Sequence, residues 1–295
     1  MLTRKKTDTL VGVTIDNKEN EVRTKVYFMG PEEMSKIIPP SKKPKTVFSK
    51  GFLYDSDEES VDKRGVTEFK ELIARSGQHC EPFYRPSERL TIFIAGAQNC
   101  GKSYWVANFL DEYKYIHPNR PIYLVTGLNE PDKHFERHKI RRIDMDVEVI
   151  DDIDLEKLRE DDVTGKRTGC LIIFDDTDRI RDKQLMKRVY DLLHDALCNG
   201  RDHATQSGAA DIDVIITNHE INDYQRTRYI LTECNYLVLF PQCSLKKQLD
   251  MCIEKVGMSK EAKDYILSYT DSRSLVIHKT YPFYCITINK IFLIK

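Results

Sequence analysis

Several features that would assign this chain to a special class of protein are missing from its sequence. The 295 residues have a formal net charge of −1, so the molecule as a whole is not basic and any nucleic-acid surface must be a local patch. No apolar run is long enough to cross a bilayer, and no apolar segment follows the basic N-terminus. We therefore expect neither a membrane span nor a secretory signal. No internal repeat is visible.

Cysteine is present, but it lacks the spacing of a metal site. The eight cysteines include no C-x-x-C pair and none beside histidines at zinc-ligand spacing. Some stand inside apolar runs, such as Cys170 before Leu171–Ile173 and Cys285 within 284–286. This placement is typical of reduced core cysteines, and we expect a cytosol-like compartment. The content of 40% apolar and 32% charged residues is that of a polar globular protein.

The most informative pattern that is present is Gly96-Ala97-Gln98-Asn99-Cys100-Gly101-Lys102-Ser103. It fits the phosphate-binding P-loop, G-x-x-x-x-G-K-[ST], without a mismatch. The apolar residues 90–95 before it predict a buried strand, and residues 103–110 after it predict a helix. This order places a helix N-terminus against an anion. The residues expected to contact a nucleotide are Gly96, Ala97, Gln98, Asn99, Cys100, Gly101, Lys102, Ser103 and Tyr104.

The fixed positions of this loop each have a physical role. Glycines allow the tight turn that points N–H groups at phosphate oxygens. Lys102 would place a positive charge on the β- and γ-phosphates, and Ser103 would offer its hydroxyl to Mg²⁺. Cys100 occupies a variable position and is expected to be a filler.

A pair of acids supplies the second element that a P-loop needs. Asp175 and Asp176 follow the apolar run Leu171–Phe174, which predicts a buried strand with the acids at its carboxyl end, where ligands bind in open α/β sheets. We expect Asp175 to hold Mg²⁺ and Asp176 to orient or deprotonate the attacking water. Paired acids in this position favour hydrolysis over transfer to a bound acceptor. The guanine-reading pattern Asn-Lys-x-Asp of GTPases does not occur.

A third element is the predicted strand 213–217, which is followed by Asn218. An amide at the end of a buried strand can lie near the γ-phosphate and the attacking water, so Asn218 is the candidate sensor of the γ-phosphate. A turn asparagine is the alternative interpretation. We expect His219 and Glu220, which come next, to be ordinary loop residues.

Short apolar strands and polar helices alternate along the middle of the chain. This alternation predicts an α/β fold with a mostly parallel central sheet flanked by helices. We expect a polar, partly flexible N-terminal extension over 1–65, a P-loop core over 66–245, and C-terminal helices with a β-hairpin over 246–295. The basic segment 38–45 and the acidic segment 55–60 cannot bury an apolar face.

Individual elements can be predicted in the same way. Helices are expected over 66–73, 155–159, 184–198, 228–231, 245–256 and 260–269. Strands are expected over 22–29, 122–126, 147–150, 171–174, 213–217 and 236–240, and the final hairpin over 274–281 and 284–294.

Taken together, five segments resemble a known family. Gly96–Ser103, Ile172–Asp176, Gly200–His203, Ile215–Asn218 and Cys234–Phe240 are similar to the poxvirus-type virion DNA-packaging ATPases of large nucleocytoplasmic DNA viruses, which belong to the FtsK–HerA group of P-loop motors. The resemblance covers roughly residues 88–245. The family commonly has glutamine where this chain has Asn218, and an insertion-like stretch, 204–210, separates Arg201 from the sensor strand.

The resemblance implies a Mg²⁺-dependent ATPase that works as a ring, with ATP at each subunit interface. Such a motor would move viral genomic DNA into a capsid, with double-stranded DNA and a capsid or portal protein as partners, in the host cytoplasm or the virion. A neighbouring subunit would supply an arginine, for which Arg201 is the first candidate and Arg226 and Arg228 the next. The alternatives are another viral P-loop ATPase, helicase-like or replication-associated, and a nucleotide-binding assembly scaffold.

Overall fold

A computed structural model describes the larger part of the chain. The described residues are 2–3, 9–16, 23–28, 71–73, 78–82, 88–128, 133–161, 164–202, 210–219, 224–244, 246–268 and 272–293. The predicted basic segment 38–45, acidic segment 55–60 and insertion-like stretch up to residue 209 lie outside them. Within the described ranges, no helix has the length and apolar character needed to cross a membrane.

The strands are numbered in chain order. They are β1 (Leu2–Thr3), β2 (Thr9–Asp16), β3 (Arg23–Phe28), β4 (Glu71–Ile73), β5 (Gln78–Pro82), β6 (Thr91–Ala95), β7 (Ile122–Thr126), β8 (Arg141–Arg142), β9 (Cys170–Asp175), β10 (Ile212–Asn218), β11 (Tyr236–Leu239), β12 (Leu275–His278), β13 (Tyr284–Ile286) and β14 (Lys290–Leu293).

The helices are numbered in the same way. They are α1 (Lys102–Ile116), α2 (Val147–Asp151), α3 (Leu155–Leu158), α4 (Lys183–Asn199), α5 (Tyr224–Glu233), α6 (Lys246–Lys255) and α7 (Lys260–Ser268), with short 3₁₀ turns at Lys133–Phe135 and Thr177–Arg179.

Contacts divide the chain into two compact units, one formed by Tyr84–Val256 and the other by Met1–Phe83 with Gly257–Lys295. The first unit holds a parallel sheet with the strand order β11-β6-β10-β9-β7-β8. Every residue of β6, β7, β9, β10 and β11 is buried. Strands that are apolar throughout need cover on both faces, which helices provide in parallel sheets. The predicted α/β fold with a mostly parallel sheet and flanking helices is confirmed.

Helix α4 shows how one of these helices is fixed at both ends. Asp182 caps its first turn, since the side chain accepts a hydrogen bond from the Leu185 N–H at 2.8 Å. At the other end, the Arg89 guanidinium donates to the carbonyl oxygens of Ala196, at 2.5 Å, and Leu197, at 3.0 Å. Gly200 leaves room for this contact, because a Cβ there would lie 2.3 Å from both the Ala196 oxygen and Arg89 Nη2.

The second unit contains antiparallel strands. One group has the order β1-β3-β2-β5, and the other the order β4-β14-β13-β12. The predicted strand 22–29 is present as β3, and it pairs with β2, a strand that the sequence patterns did not indicate. Helix α7 and strands β12–β14 form the described C-terminal part, which agrees with the predicted helix and hairpin addition.

Three predicted elements are wrong in type or extent. The expected strand 147–150 is helix α2, because the Asp146 side chain caps it by accepting from the Glu148 N–H at 2.8 Å. Residues 71–73 of the expected helix 66–73 form strand β4 instead, because β14 supplies their backbone partners. Residues 66–70 lie outside the described part. The long final strand is divided into β13 and β14, because the chain turns back on itself at 287–289 and the two strands pair with each other.

Candidate functional site

The loop Gly96–Gly101 joins β6 to α1 at the carboxyl edge of the parallel sheet. Asn99, with φ of 62°, and Gly101, with φ of 109°, give it the left-handed backbone that a tight phosphate-binding turn needs. A Cβ on Gly96 would lie 2.7 Å from Cys100 Sγ and 3.0 Å from Phe240 Cδ2, so only glycine fits there. Cys100 is buried against this glycine, as a filler would be.

Lys102 is held inside the loop. Its side chain is buried, and its Nζ donates to the Gly96 carbonyl oxygen at 3.0 Å and to the Ala97 carbonyl oxygen at 3.4 Å. A third contact, of 3.0 Å, joins Nζ to His219 Nδ1. An ammonium held by carbonyl oxygens at a helix N-terminus is positioned to exchange those acceptors for phosphate oxygens.

The two acids lie at the end of β9, two strands from β6. Asp175 is buried, and its Oδ1 accepts a hydrogen bond from Thr217 Oγ1 at 2.7 Å. Asp176 has a left-handed backbone, with φ of 49° and ψ of 37°, and its N–H donates to Thr217 Oγ1 at 3.0 Å. Thr217 therefore fixes both acids through one hydroxyl.

Asp176 has an electrostatic environment that keeps its carboxyl charged. Burial acts to raise the pKa of Asp176, but the nearby His219 ring and the positive charges of Lys102 and Arg179 outweigh it, and the pKa is lowered from its ordinary value. Its Oδ2 lies 2.9 Å from His219 Nε2. Its Oδ1 is buried and has no hydrogen-bond partner among the described residues. A charged, incompletely satisfied carboxylate is suited to bind or activate a water.

Asn218 ends β10, between the P-loop and the acids. Its carbonyl oxygen accepts a hydrogen bond from the Gly96 N–H at 3.3 Å, which joins the sensor strand to the start of the P-loop. The side-chain Oδ1 is buried and has no hydrogen-bond partner in the part of the chain that the structure describes. Such an acceptor suits a water or a hydroxyl brought in with a ligand.

The residues predicted to hold Mg²⁺ are hard oxygen donors, which fit that ion. Ser103, half-buried in the first turn of α1, would supply its hydroxyl, and Asp175 would act through its carboxylate. No group of three or more histidine, cysteine or acidic side chains able to hold a metal occurs among the described residues. A divalent ion here would therefore depend on phosphate oxygens and water for its other ligands.

Arg201 lies away from these residues. It is exposed and follows α4, before the start of β10, whereas Asn218 stands at the far end of that strand. Seven strand residues at about 3.3 Å each separate the two ends of β10 by roughly 20 Å. The chain does not bring its own Arg201 to its own P-loop. Arg228 is exposed on α5, and the Arg226 side chain lies outside the described part.

Two site residues were missed by sequence reasoning. The sequence predicts His219 to be an ordinary loop residue, yet its ring lies between Lys102 and Asp176. The sequence indicates Thr217 only as part of a strand. The signal for both is the strand order β6-β10-β9, because a residue at the end of the middle strand faces the ends of both neighbours.

The fold and the site together define the class of this chain, which has the α/β P-loop NTPase fold. No family model matches the chain. The uncharacterized protein V3 of the Sputnik virophage is 29% identical over 216 residues, which are 72% of this chain and 80% of that protein.

The chain is also similar to solved structures. One is the DNA-packaging ATPase B204 of Sulfolobus turreted icosahedral virus, at 14% identity, a TM-score of 0.43 and coverage of 71% of this chain and 98% of that one. B204 of Sulfolobus turreted icosahedral virus 2, in complex with sulfate, is 12% identical, with a TM-score of 0.42 and coverage of 70% and 96%. The cytoplasmic domain of the type VII secretion ATPase EccC of Thermomonospora curvata is 15% identical, with a TM-score of 0.42 and coverage of 67% and 25%.

Proposed function

We propose that this chain is a Mg²⁺-dependent ATPase whose hydrolysis drives the movement of viral genomic DNA into a capsid. The observation that carries the proposal is the arrangement at the carboxyl edge of β6, β10 and β9, where a buried P-loop lysine and a charged, partly unsatisfied acid lie on either side of the His219 ring. A lysine alone would support nucleotide binding. The acid beside it supports hydrolysis by an activated water.

The residues divide the work in the following way. Lys102 neutralises phosphate charge, and backbone N–H groups of the loop bind phosphate oxygens. Ser103 and Asp175 would hold Mg²⁺, which polarises the phosphates when it is bound. Asp176 orients or deprotonates the attacking water, and the Asn218 amide contacts the γ-phosphate and so acts as its sensor.

The motor part of the proposal is supported by the position of Arg201. Phosphoryl transfer gains from an arginine that stabilises the charge of the transition state. Arg201 lies at the sheet edge opposite the P-loop of its own chain, so a catalytic role for it requires the site of a neighbouring subunit. We therefore propose a ring of identical subunits around double-stranded DNA, in which Arg201 completes the adjacent active site.

The viral setting is supported by the motif resemblance and by the virophage relative. A capsid or portal protein is the proposed docking partner, and the virus factory or virion the proposed location. The division into an N-terminal extension (1–65), an ATPase core (66–245) and a C-terminal addition (246–295) remains a prediction, which the boundaries of protease-resistant fragments would test.

The test of the proposed function is the ATPase rate per subunit, measured against protein concentration with and without duplex DNA. A site completed by a neighbour gives a rate per subunit that rises with concentration, and a packaging motor is stimulated by duplex DNA. Arg201→Ala should abolish the increase of the rate per subunit with concentration. When the variant is mixed with the unchanged chain, unchanged subunits that have a variant neighbour should also lose rate. Arg188→Ala, which removes a half-buried arginine on the same helix that pairs with Asp151 at 3.2 Å, is the control.

Other outcomes would point to other functions. Stimulation by single-stranded DNA alone would favour a helicase-like or replication-associated ATPase. Nucleotide binding without hydrolysis, with particle assembly unaffected by Lys102→Ala, would favour an assembly scaffold. A rate per subunit that is independent of concentration and of Arg201 would contradict the ring.

A further inference from the structure

His219 is the one histidine of the described residues that contacts both halves of the candidate site. Its ring is 14% exposed and lies between two oppositely charged groups. Nδ1 is 3.0 Å from Lys102 Nζ, and Nε2 is 2.9 Å from Asp176 Oδ2. The His219 backbone N–H donates to Asp178 Oδ2 at 2.9 Å, and this hydrogen bond fixes the backbone from which the ring projects.

The strand order explains this central position. β10 lies between β6 and β9, with Asn218 beside Ala95 and Thr217 beside Asp175. The next residue along β10 therefore emerges between the first P-loop residue and the second acid. The position of His219 therefore follows from the backbone pairing of β10 with both neighbouring strands.

The partners of the ring determine which tautomer the hydrogen-bond geometry favours. An ammonium group only donates hydrogen bonds, so Nδ1 must accept from Lys102. A neutral ring then carries its proton on Nε2, which is the atom that faces the Asp176 carboxylate. Nε2 lies 2.9 Å from Asp176 Oδ2 but outside hydrogen-bond geometry, so a small reorientation of the ring would complete a hydrogen bond to this carboxylate.

We infer that His219 is a positioning residue that links the state of Lys102 to the orientation of Asp176, an inference that rests on the ATPase function proposed above. When a γ-phosphate takes over Lys102 as a hydrogen-bond donor, Nδ1 loses its partner. The ring is then free to adjust toward Asp176 and to align that carboxylate for the attacking water. His219 therefore affects the chemical step more than nucleotide binding.

Three substitutions separate the two contacts. Glutamine can place an N–H donor near the position of Nε2, asparagine can place an oxygen acceptor near that of Nδ1, and alanine provides neither. We expect His219→Ala and His219→Asn to lower kcat by at least about 10-fold, since general-base catalysis is sensitive to alignment, and His219→Gln to retain most of the rate. The Kd for ATP-γ-S should stay within about threefold in all three, because phosphate replaces His219 as the acceptor for Lys102.

The control is His194→Ala, since His194 is an exposed histidine on α4 outside the site. Thermal unfolding of each variant shows whether the fold is retained, and the comparison of glutamine with asparagine stays informative if alanine does not fold. Recovery by asparagine and not by glutamine, a kcat within twofold of the unchanged chain for all variants, or equal losses in kcat and ATP-γ-S affinity would each overturn the inference while leaving the ATPase function intact. Failure of the unchanged chain to hydrolyse ATP would overturn both.

Discussion

Thr217 offers a sharp test of the site, because one buried hydroxyl fixes both acids. Thr217 is fully buried, and its Oγ1 donates to Asp175 Oδ1 at 2.7 Å and accepts from the Asp176 N–H at 3.0 Å. Thr217→Val removes the hydroxyl and keeps the shape. The Asp176 N–H retains the Thr217 carbonyl oxygen at 3.1 Å, but the Asp175 carboxyl loses a buried donor.

The expected loss of stability follows from that donor. Removing a donor from a buried polar group costs about 1–3 kcal/mol, and we expect the upper part of that range because the acceptor is a carboxylate. For a folded unit of this size, about 2–3 kcal/mol lowers Tm by roughly 4–12 °C. Because Asp175 is the proposed Mg²⁺ ligand, the Mg²⁺ concentration for half-maximal ATPase rate should also rise.

Thr217→Ser is the matched control, because it retains the hydroxyl and loses only a buried methyl group. That loss costs about 1 kcal/mol. Urea denaturation and thermal unfolding measure the stabilities, and a Mg²⁺ titration of the ATPase rate measures the site. A valine variant as stable as the serine variant, with an unchanged Mg²⁺ requirement, would show that the Thr217 hydroxyl does not fix Asp175.

Two further predictions concern the sheet edge opposite the site. Gly200→Ala should destabilise the fold by about 2–3 kcal/mol in urea denaturation, because the new Cβ would lie 2.3 Å from both the Ala196 carbonyl oxygen and Arg89 Nη2. Unchanged stability would show that α4 can shift to make room. Burial raises the pKa of Asp213 to about 6, although Arg120 opposes the rise, so the folded state binds this proton more tightly than the unfolded state. Stability should then fall by about 3 kcal/mol as pH increases from about 4 to about 6, and Asp213→Asn should remove that slope; an identical slope in the variant would contradict the assignment.

Local patterns were sufficient to predict the elements that are buried on both faces. The runs in β6, β9, β10 and β11 are short, apolar and bounded by polar residues, which is the pattern of parallel strands. The helix α4 was predictable from its one apolar face.

The segments that were predicted wrongly owe their structure to partners distant in sequence or to a helix cap. β4 forms because β14, more than 200 residues later, provides its backbone partners. The segment 147–150 has apolar residues that suit a strand, but the Asp146 cap stabilises a helical turn and only Ile150 is buried.

The same distinction applies to the site. Lys102, Asp175, Asp176 and Asn218 could be predicted because each follows a recognisable apolar strand or stands in a fixed motif. His219 could not, since its position between a lysine and an acid depends on the order of strands in the sheet.

The assignment of Asp176 to the attacking water is tested most directly by one comparison between the unchanged chain and Asp176→Asn. The measurement is phosphate release at saturating Mg²⁺ and ATP, together with the Kd for ATP-γ-S. We predict that the unchanged chain hydrolyses ATP and that the variant loses about 100-fold or more in rate, as expected for a general base, while binding the nucleotide with similar affinity. Equal rates in the two proteins, or no hydrolysis by the unchanged chain, would contradict the assignment of this site as an ATPase centre.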